Sequence, residues 1–483
     1  MRVRTMRRML AVAVLAFVLV GAWAAPAFAH AVLQGTDPGS GATVQRSPQD
    51  ITLTFNESVE ASLGAIRVFN SRASRIDVGA PEHPDGNAKA VSISAPDLKD
   101  GTYVVTWRVI SSDAHPVRGA FTFTVGLSAT TPKEAQGLAQ RLLTDEGGNA
   151  VVGVLFAIAR FGAFGGMAVL LGACAFLAYV WTAGRADRSA RRIVWTVWGA
   201  ALGFTLLGFA LQGPYAGALE PAKALDPSLW GDVWGTRFGH VYIGRVLLLV
   251  VALPLIGMLL PSRGPVVEHR LPKWWPVAAG LLGLAIAATP GLAGHASSGP
   301  LVPIALPADV LHVFGVGIWL GGLVVLFVAP MPRADEATLR DVVPRYSQYA
   351  LIAMGVIVVT GVFQAFRQID RAGALVDTDY GRILLIKIAV FLGLMVAAAV
   401  SRDVVNRRWR IPEGALVATP VAVGGDRDDE EEGYPEGYVL GEPTAERRLR
   451  RGLLVEVIFS IVILAVTALL VNAAPARELD TGP

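Results

Sequence analysis

Seven histidines stand in 483 residues, and their positions show where metal chemistry can be done: His30, His83, His115, His240, His269, His295 and His312. His30 follows Ala27-Phe-Ala29, which closes a stretch opening with Arg2, Arg4, Arg7 and Arg8 and continuing through the apolar run Met9 to Val20. A charged start, a short apolar run and a small-x-small end read as a secretory signal peptide over residues 1–29. Its removal would make His30 the first mature residue. An amino-terminal histidine offers an α-amine and an imidazole together, a chelate suited to Cu(II), which favours tetragonal nitrogen and oxygen donors. Asp113 and His115 lie two apart at the end of a predicted strand and so project from one side of it. A carboxylate and an imidazole there can complete a site with His30.

The elements that must position these groups fall into two kinds. Residues 30–126 alternate in short runs: Ile51 to Phe55, Ala65 to Phe69, Ala90 to Ser94, Tyr103 to Val109 and Ala120 to Val125. Turn clusters such as Asp37 to Gly41, Pro81 to Gly86 and Lys99 to Gly101 separate them, the pattern of a small all-β sandwich or Greek-key barrel. Polar residues 127–150 read as a linker. From 151 to 477 the chain carries apolar runs at about 151–182, 193–213, 240–260, 274–294, 306–330, 346–366, 382–401 and 453–473. Each is near the roughly 20 residues that cross a bilayer, so this half is expected to be an all-α polytopic membrane bundle of about eight transmembrane helices.

Composition agrees with that division. The chain is 53% hydrophobic and 17% charged, with mean hydropathy +0.50, too apolar for a disordered or ordinary soluble protein. With the β domain outside, the connections on the inner side hold nineteen Lys and Arg and those on the outer side six. That bias agrees with an exported amino-terminal half, and the expected location is the cell membrane, multi-pass, with the amino-terminal domain extracytoplasmic. The longest inner connection includes an acidic run at Asp428, Asp429, Glu430, Glu431 and Glu432 and is read as a disordered cytoplasmic loop at about 411–446. Lone Cys174 falls in an apolar span, which excludes an intramolecular disulfide and a cysteine-built metal centre. No basic block is interleaved with aromatics, so nucleic acid is not an expected partner.

This topology brings His240, His295 and His312 to the outer ends of the third, fourth and fifth spans, where they form a candidate site for accepting copper. Asp309 lies three residues before His312, on the same helical face, and can orient its imidazole or join the coordination. His269 falls on the inner side, and His83 in a surface turn. Arg160, Arg245, Lys387 and Glu456 are ionisable groups inside spans, costly unless paired or facing a cavity.

Residues 30–126 resemble the copper-binding CopC family through His30-Ala-Val-Leu33, Ser47-Pro48, Leu53-Thr-Phe-Asn-Glu57, Gly101 to Trp107 and Ser111 to Gly119. Residues 151–477 resemble the CopD membrane family through Gly294-His-Ala296, Leu311-His312, Trp319 to Leu323, Tyr380-Gly-Arg382, Lys387 and Glu456. The resemblance implies a cupredoxin-like or immunoglobulin-like β domain holding Cu(II) through His30, Asp113 and His115, with Glu57 as an additional carboxylate in some members. It implies a copper homeostasis protein that is not an enzyme, binds copper outside and passes it to the membrane domain for uptake. Cu(I) is the further form the membrane half can take. The β domain itself lacks methionine and cysteine, which disfavours a soft Cu(I) site there. Expected partners are copper ions, the lipid bilayer, and a second copy of the chain or copper chaperones. The alternatives are a membrane redox protein, haem-binding through His295 and His312 or linked to copper, and a copper sensor without transport. A copper-dependent oxidative enzyme is disfavoured because Asp113 as an equatorial ligand leaves fewer positions open to oxygen.

Overall fold

The computed structural model describes residues 31–76, 79–112, 116–127, 131–145, 148–260, 270–297, 301–332, 335–369, 371–409 and 443–471. His30, Asp113, His115, His269 and the acidic run lie outside them.

Alternation builds the amino-terminal half. In Asp50–Phe55, the residues Ile51, Leu53 and Phe55 are fully buried while Asp50 and Thr54 are exposed, the period-two signature of a strand with one face inward. Among the described residues seven strands result: β1 (Leu33–Asp37), β2 (Thr43–Val44), β3 (Asp50–Phe55), β4 (Val59–Asn70), β5 (Ala90–Ser94), β6 (Gly101–Ser111) and β7 (Pro116–Val125). They form a three-stranded sheet, β1-β3-β5, and a four-stranded sheet, β2-β7-β6-β4. The inner faces of both contribute to one core that includes Phe55, Val68, Val91, Val105 and Phe123. Full burial of each such side chain contributes about 1.5–3 kcal/mol. The Phe55 and Trp107 rings meet edge-on at 5.4 Å. Gly119 lets Trp107 lie flat on β7, since a Cβ there would stand 2.5 Å from Trp107 Cζ2.

The stretch between the halves is not an extended tether. It holds a helix, Pro132–Asp145, started by a reciprocal cap in which the Thr131 amide donates to Glu134 and the Glu134 amide to the Thr131 hydroxyl. The Thr131 amide and hydroxyl, both donating to its carboxylate, hold the Glu134 carboxyl below its usual range. Arg118 of β7 donates to the Leu143 carbonyl at 3.0 Å, which fastens the helix to the sheet.

Among the described residues eight helices are long and apolar enough to cross a bilayer: span 1 (Ala150–Val180), span 2 (Arg188–Gly217), span 3 (Arg237–Leu259), span 4 (Trp275–Leu292), span 5 (Val302–Val328), span 6 (Glu336–Gln368), span 7 (Asp379–Asp403) and span 8 (Arg451–Leu470). Span 1 is the most buried of them. Glycines let its neighbours approach backbone to backbone, the packing expected where lipid removes the hydrophobic drive for helix association. Gly166 faces the backbone of Ala201 in span 2, and Gly172 faces Gly317 and Gly321 in span 5.

The β domain rests on one end of this bundle. Arg108 of β6 donates to the Ala216 and Tyr215 carbonyls at the end of span 2. Ile110 joins a core with Phe156, Leu211, Phe238 and Tyr242 from spans 1, 2 and 3.

Candidate functional site

Three pieces of chain converge at the end of the sandwich that meets the bundle. The first is the run into β1. The Val32 amide donates to Asn56 Oδ1 at 2.7 Å, and the Asn56 amide returns a bond to the Val32 carbonyl at 3.1 Å. The second is the β3–β4 turn that carries Asn56 and Glu57. The third is the end of β6, where Ser112 donates to the Glu57 carboxylate twice, from its hydroxyl at 2.7 Å and its amide at 3.3 Å. Glu57 therefore stands between the residues that follow His30 and the residue that precedes Asp113. A half-buried carboxylate oriented by hydroxyl and amide donors is a hard oxygen group fixed in place.

This end of the domain is seated on span 3. Arg237 Nη1 donates to the Ser112 carbonyl at 3.3 Å, and the Arg237 amide, at the helix start, donates to Glu60 Oε1 at 3.2 Å. A carboxylate at a helix N-terminus meets unpaired amides and the positive end of the dipole. His240 is exposed and lies one turn further along the same helix, so Arg237 and His240 share a face.

Deeper in the bundle, polar groups from spans 5, 6 and 7 meet in the half nearest the β domain. His312 of span 5 bonds through Nδ1 to Thr360 Oγ1 of span 6 at 2.9 Å. The Thr360 hydroxyl gives its single proton to the Val356 carbonyl at 2.6 Å, so it accepts from His312, and the ring is the Nδ1–H tautomer with its Nε2 lone pair directed elsewhere. Asp309 turns towards span 4, where a Cβ on Gly291 would stand 2.5 Å from its Oδ2. Lys387 of span 7 and Arg367 of span 6 act electrostatically on Asp309. Arg367 also donates to Gln364, which donates to the Ala305 carbonyl.

Among the described residues no three His, Cys, Asp or Glu side chains gather closely enough to hold a metal. His240 on its exposed helix face and the Asp309–His312 pair between spans 4, 5 and 6 are separate stations. His295 begins a short helical turn after span 4; its side chain is not among those described. The expectation that Asp309 orients His312 is corrected, because Thr360 holds the ring while Asp309 faces another helix. His83, bonded through Nδ1 to the Ala90 carbonyl at 2.7 Å, braces a turn. Sequence reasoning missed Asn56, Ser112, Arg237, Thr360, Gln364 and Arg367. The polar character of Gln364 and Arg367 at the end of an apolar run was the signal for that pair; threonine and serine carry none, because spans and strands contain them for many reasons.

Residues 33–126 match the family model of the CopC domain, residues 150–301 that of the copper resistance protein D-like N-terminal domain, and residues 340–470 that of copper resistance protein D. Copper transport protein CutJ of Bacillus subtilis (strain 168) is 26% identical over 413 residues, 82% of this chain and 72% of that protein. Protein YobA of Escherichia coli (strain K12) is 32% identical over 123 residues, 25% of this chain and 95% of YobA. Copper resistance protein C of Xanthomonas campestris pv. juglandis is 35% identical over 108 residues, 21% of this chain and 84% of that protein.

Proposed function

The chain belongs to the CopC–CopD family of fused copper proteins, and from that premise we propose that it serves copper homeostasis by taking up Cu(II) on an extracytoplasmic β domain and passing copper into the membrane bundle for uptake. The donor set is His30, with its terminal amine, together with Asp113 and His115, and Glu57 beside them. The observation that carries this reading is the convergence at the foot of the sandwich. Val32 is bonded to Asn56, Glu57 to Ser112, and Ser112 to Arg237 of span 3. In the sequence His30 stands two residues before Val32, and Asp113 directly follows Ser112, so the described residues on either side of the proposed donors are the ones that bond around Glu57.

The same convergence supports the direction of transfer. A metal released beside Glu57 and Ser112 meets the helix that carries His240, and then the half of the bundle that holds Asp309 and His312. The Nε2 lone pair of His312, with Nδ1–H held by Thr360, is the form of imidazole that binds metal. Copper is cargo on this path, and no bond of an organic substrate is made or broken.

The test is the full chain carrying one alanine inserted between Ala29 and His30, placed so that the added residue remains after processing. Its terminal amine becomes a peptide nitrogen relative to His30. The expected result is one equatorial nitrogen fewer in the Cu(II) electron paramagnetic resonance spectrum, and loss of copper accumulation by cells grown at limiting copper. An unchanged spectrum with unchanged accumulation overturns the reading.

A further inference from the structure

Spans 1 to 4 contain no aspartate or glutamate anywhere along their length, yet two of their arginines are buried inside the bundle. Arg245 of span 3 is 0% exposed and Arg160 of span 1 is 2% exposed. A guanidinium cannot give up its charge under physiological conditions, and a charge in the bilayer interior is retained where it has a partner or a cavity.

The surroundings of Arg245 define which part of it is committed. Its Nε donates to Thr289 Oγ1 of span 4 at 2.8 Å. Thr289 gives its own proton to the Ile286 carbonyl at 2.8 Å, so the hydroxyl is fixed as an acceptor and pins one edge of the guanidinium. The guanidinium lies over the Tyr242 ring, 4.3 Å from its centroid, with the Phe164 ring at 5.9 Å. Both remaining nitrogens, Nη1 and Nη2, are buried and make no hydrogen bond of good geometry, the Tyr242 side chain beside them supplying an electrostatic attraction. Arg160, over the Phe156 ring at 4.5 Å, is near enough to act electrostatically on Arg245. Aromatic faces offset part of a cation's charge but accept no N–H bond of ordinary strength. Gln212 of span 2 is likewise fully buried, with both ends of its amide unbonded. It lies one turn beyond Gly208, whose Cβ position is 3.0 Å from the Tyr242 ring.

We infer that the first four spans hold a binding site for a small monovalent inorganic anion of the halide class, received by Nη1 and Nη2 of Arg245. The ion supplies the negative charge that these four helices lack, and gives the two Nη groups a full hydrogen-bond acceptor. Full burial excludes a lipid headgroup as the ligand. The consequence for the bundle is electrostatic: a bound anion offsets the field of the fixed Arg245 cation, which would oppose any cation moving through the domain-side half. The inference stands apart from the copper reading, since its observations concern Arg245 and its surroundings in the first four spans and its test contains no copper.

The experiment is equilibrium binding of radiolabelled chloride to the purified full chain in lipid nanodiscs, with sodium gluconate holding ionic strength constant. Saturable binding of one chloride per chain is expected, displaced by bromide and lost in Arg245→Met. Absence of saturable binding to the unaltered chain, or equal binding to Arg245→Met, overturns the site. Should Arg245→Met fail to assemble, thermal unfolding of the unaltered chain decides. A midpoint raised by bromide over gluconate at equal ionic strength, with the rise diminished in Thr289→Val, supports the site, and equal midpoints in the two salts overturn it.

Discussion

The Ser112 carbonyl accepts a hydrogen bond from Arg237 Nη1 at 3.3 Å, so the turn leading to Asp113 rests on the first turn of span 3. A bond of this kind to a charged donor contributes about 1.5–3 kcal/mol where it is protected from water, and less at an exposed helix end. Arg237→Ala should leave the Cu(II) affinity of the β domain unchanged and lower copper accumulation, because it loosens the seat without touching the proposed ligands. Paired measurements of Cu(II) affinity and cellular copper content check this. A fall in Cu(II) affinity to match that in accumulation would refute the separation of the two roles.

Thr360 controls the donor atom of His312. Thr360→Val keeps the shape and removes the acceptor of Nδ1–H, and loss of such an outer partner typically costs about 10–100-fold in metal affinity. Copper accumulation should fall in Thr360→Val and be abolished in His312→Ala, with the protein level in the membrane unchanged. His269→Ala, on the predicted inner side, should have little effect. Cellular copper content normalised to membrane protein gives the readout.

Gly172 meets Gly317 and Gly321 at the crossing of spans 1 and 5, and a Cβ on it would stand 2.7 Å from Gly321 Cα. Backbone cannot move aside as a flexible side chain can. Gly172→Leu should prevent assembly of the bundle, whereas Gly153→Leu, at a position with open space around it, should be tolerated. Monodispersity of the detergent-extracted chain distinguishes the two.

Gly119→Ala brings a methyl group against the Trp107 indole. Overpacking of this kind typically costs about 1–3 kcal/mol. Near-ultraviolet circular dichroism and thermal unfolding should show a less stable β domain. Leu127→Ala, at an exposed position, is the control expected to unfold with the unaltered chain.

What the amino-acid sequence determined by itself follows from constraints that act locally. The eight spans were legible because hydrocarbon thickness imposes a length on each apolar run; the run read at 151–182 is the helix Ala150–Val180, and that at 240–260 is Arg237–Leu259. Five of the strands were legible because one buried face imposes alternation. β1 was not, since Leu33–Asp37 contains Gly35 and has no buried residue to mark a period. Helix Pro132–Asp145 was hidden because its composition is polar and its support comes from β7. Only the tertiary structure decided partners. A histidine in an apolar run announces that something must satisfy it, but whether Asp309 three residues away or Thr360 forty-eight residues away does so depends on which helices pack together. Likewise Arg245 was visible as a cost, while its pinned Nε and its two unpaired nitrogens emerged only once Thr289, Tyr242 and Arg160 stood around it. Burial makes a polar group need a partner; the packing of distant elements chooses which one it has.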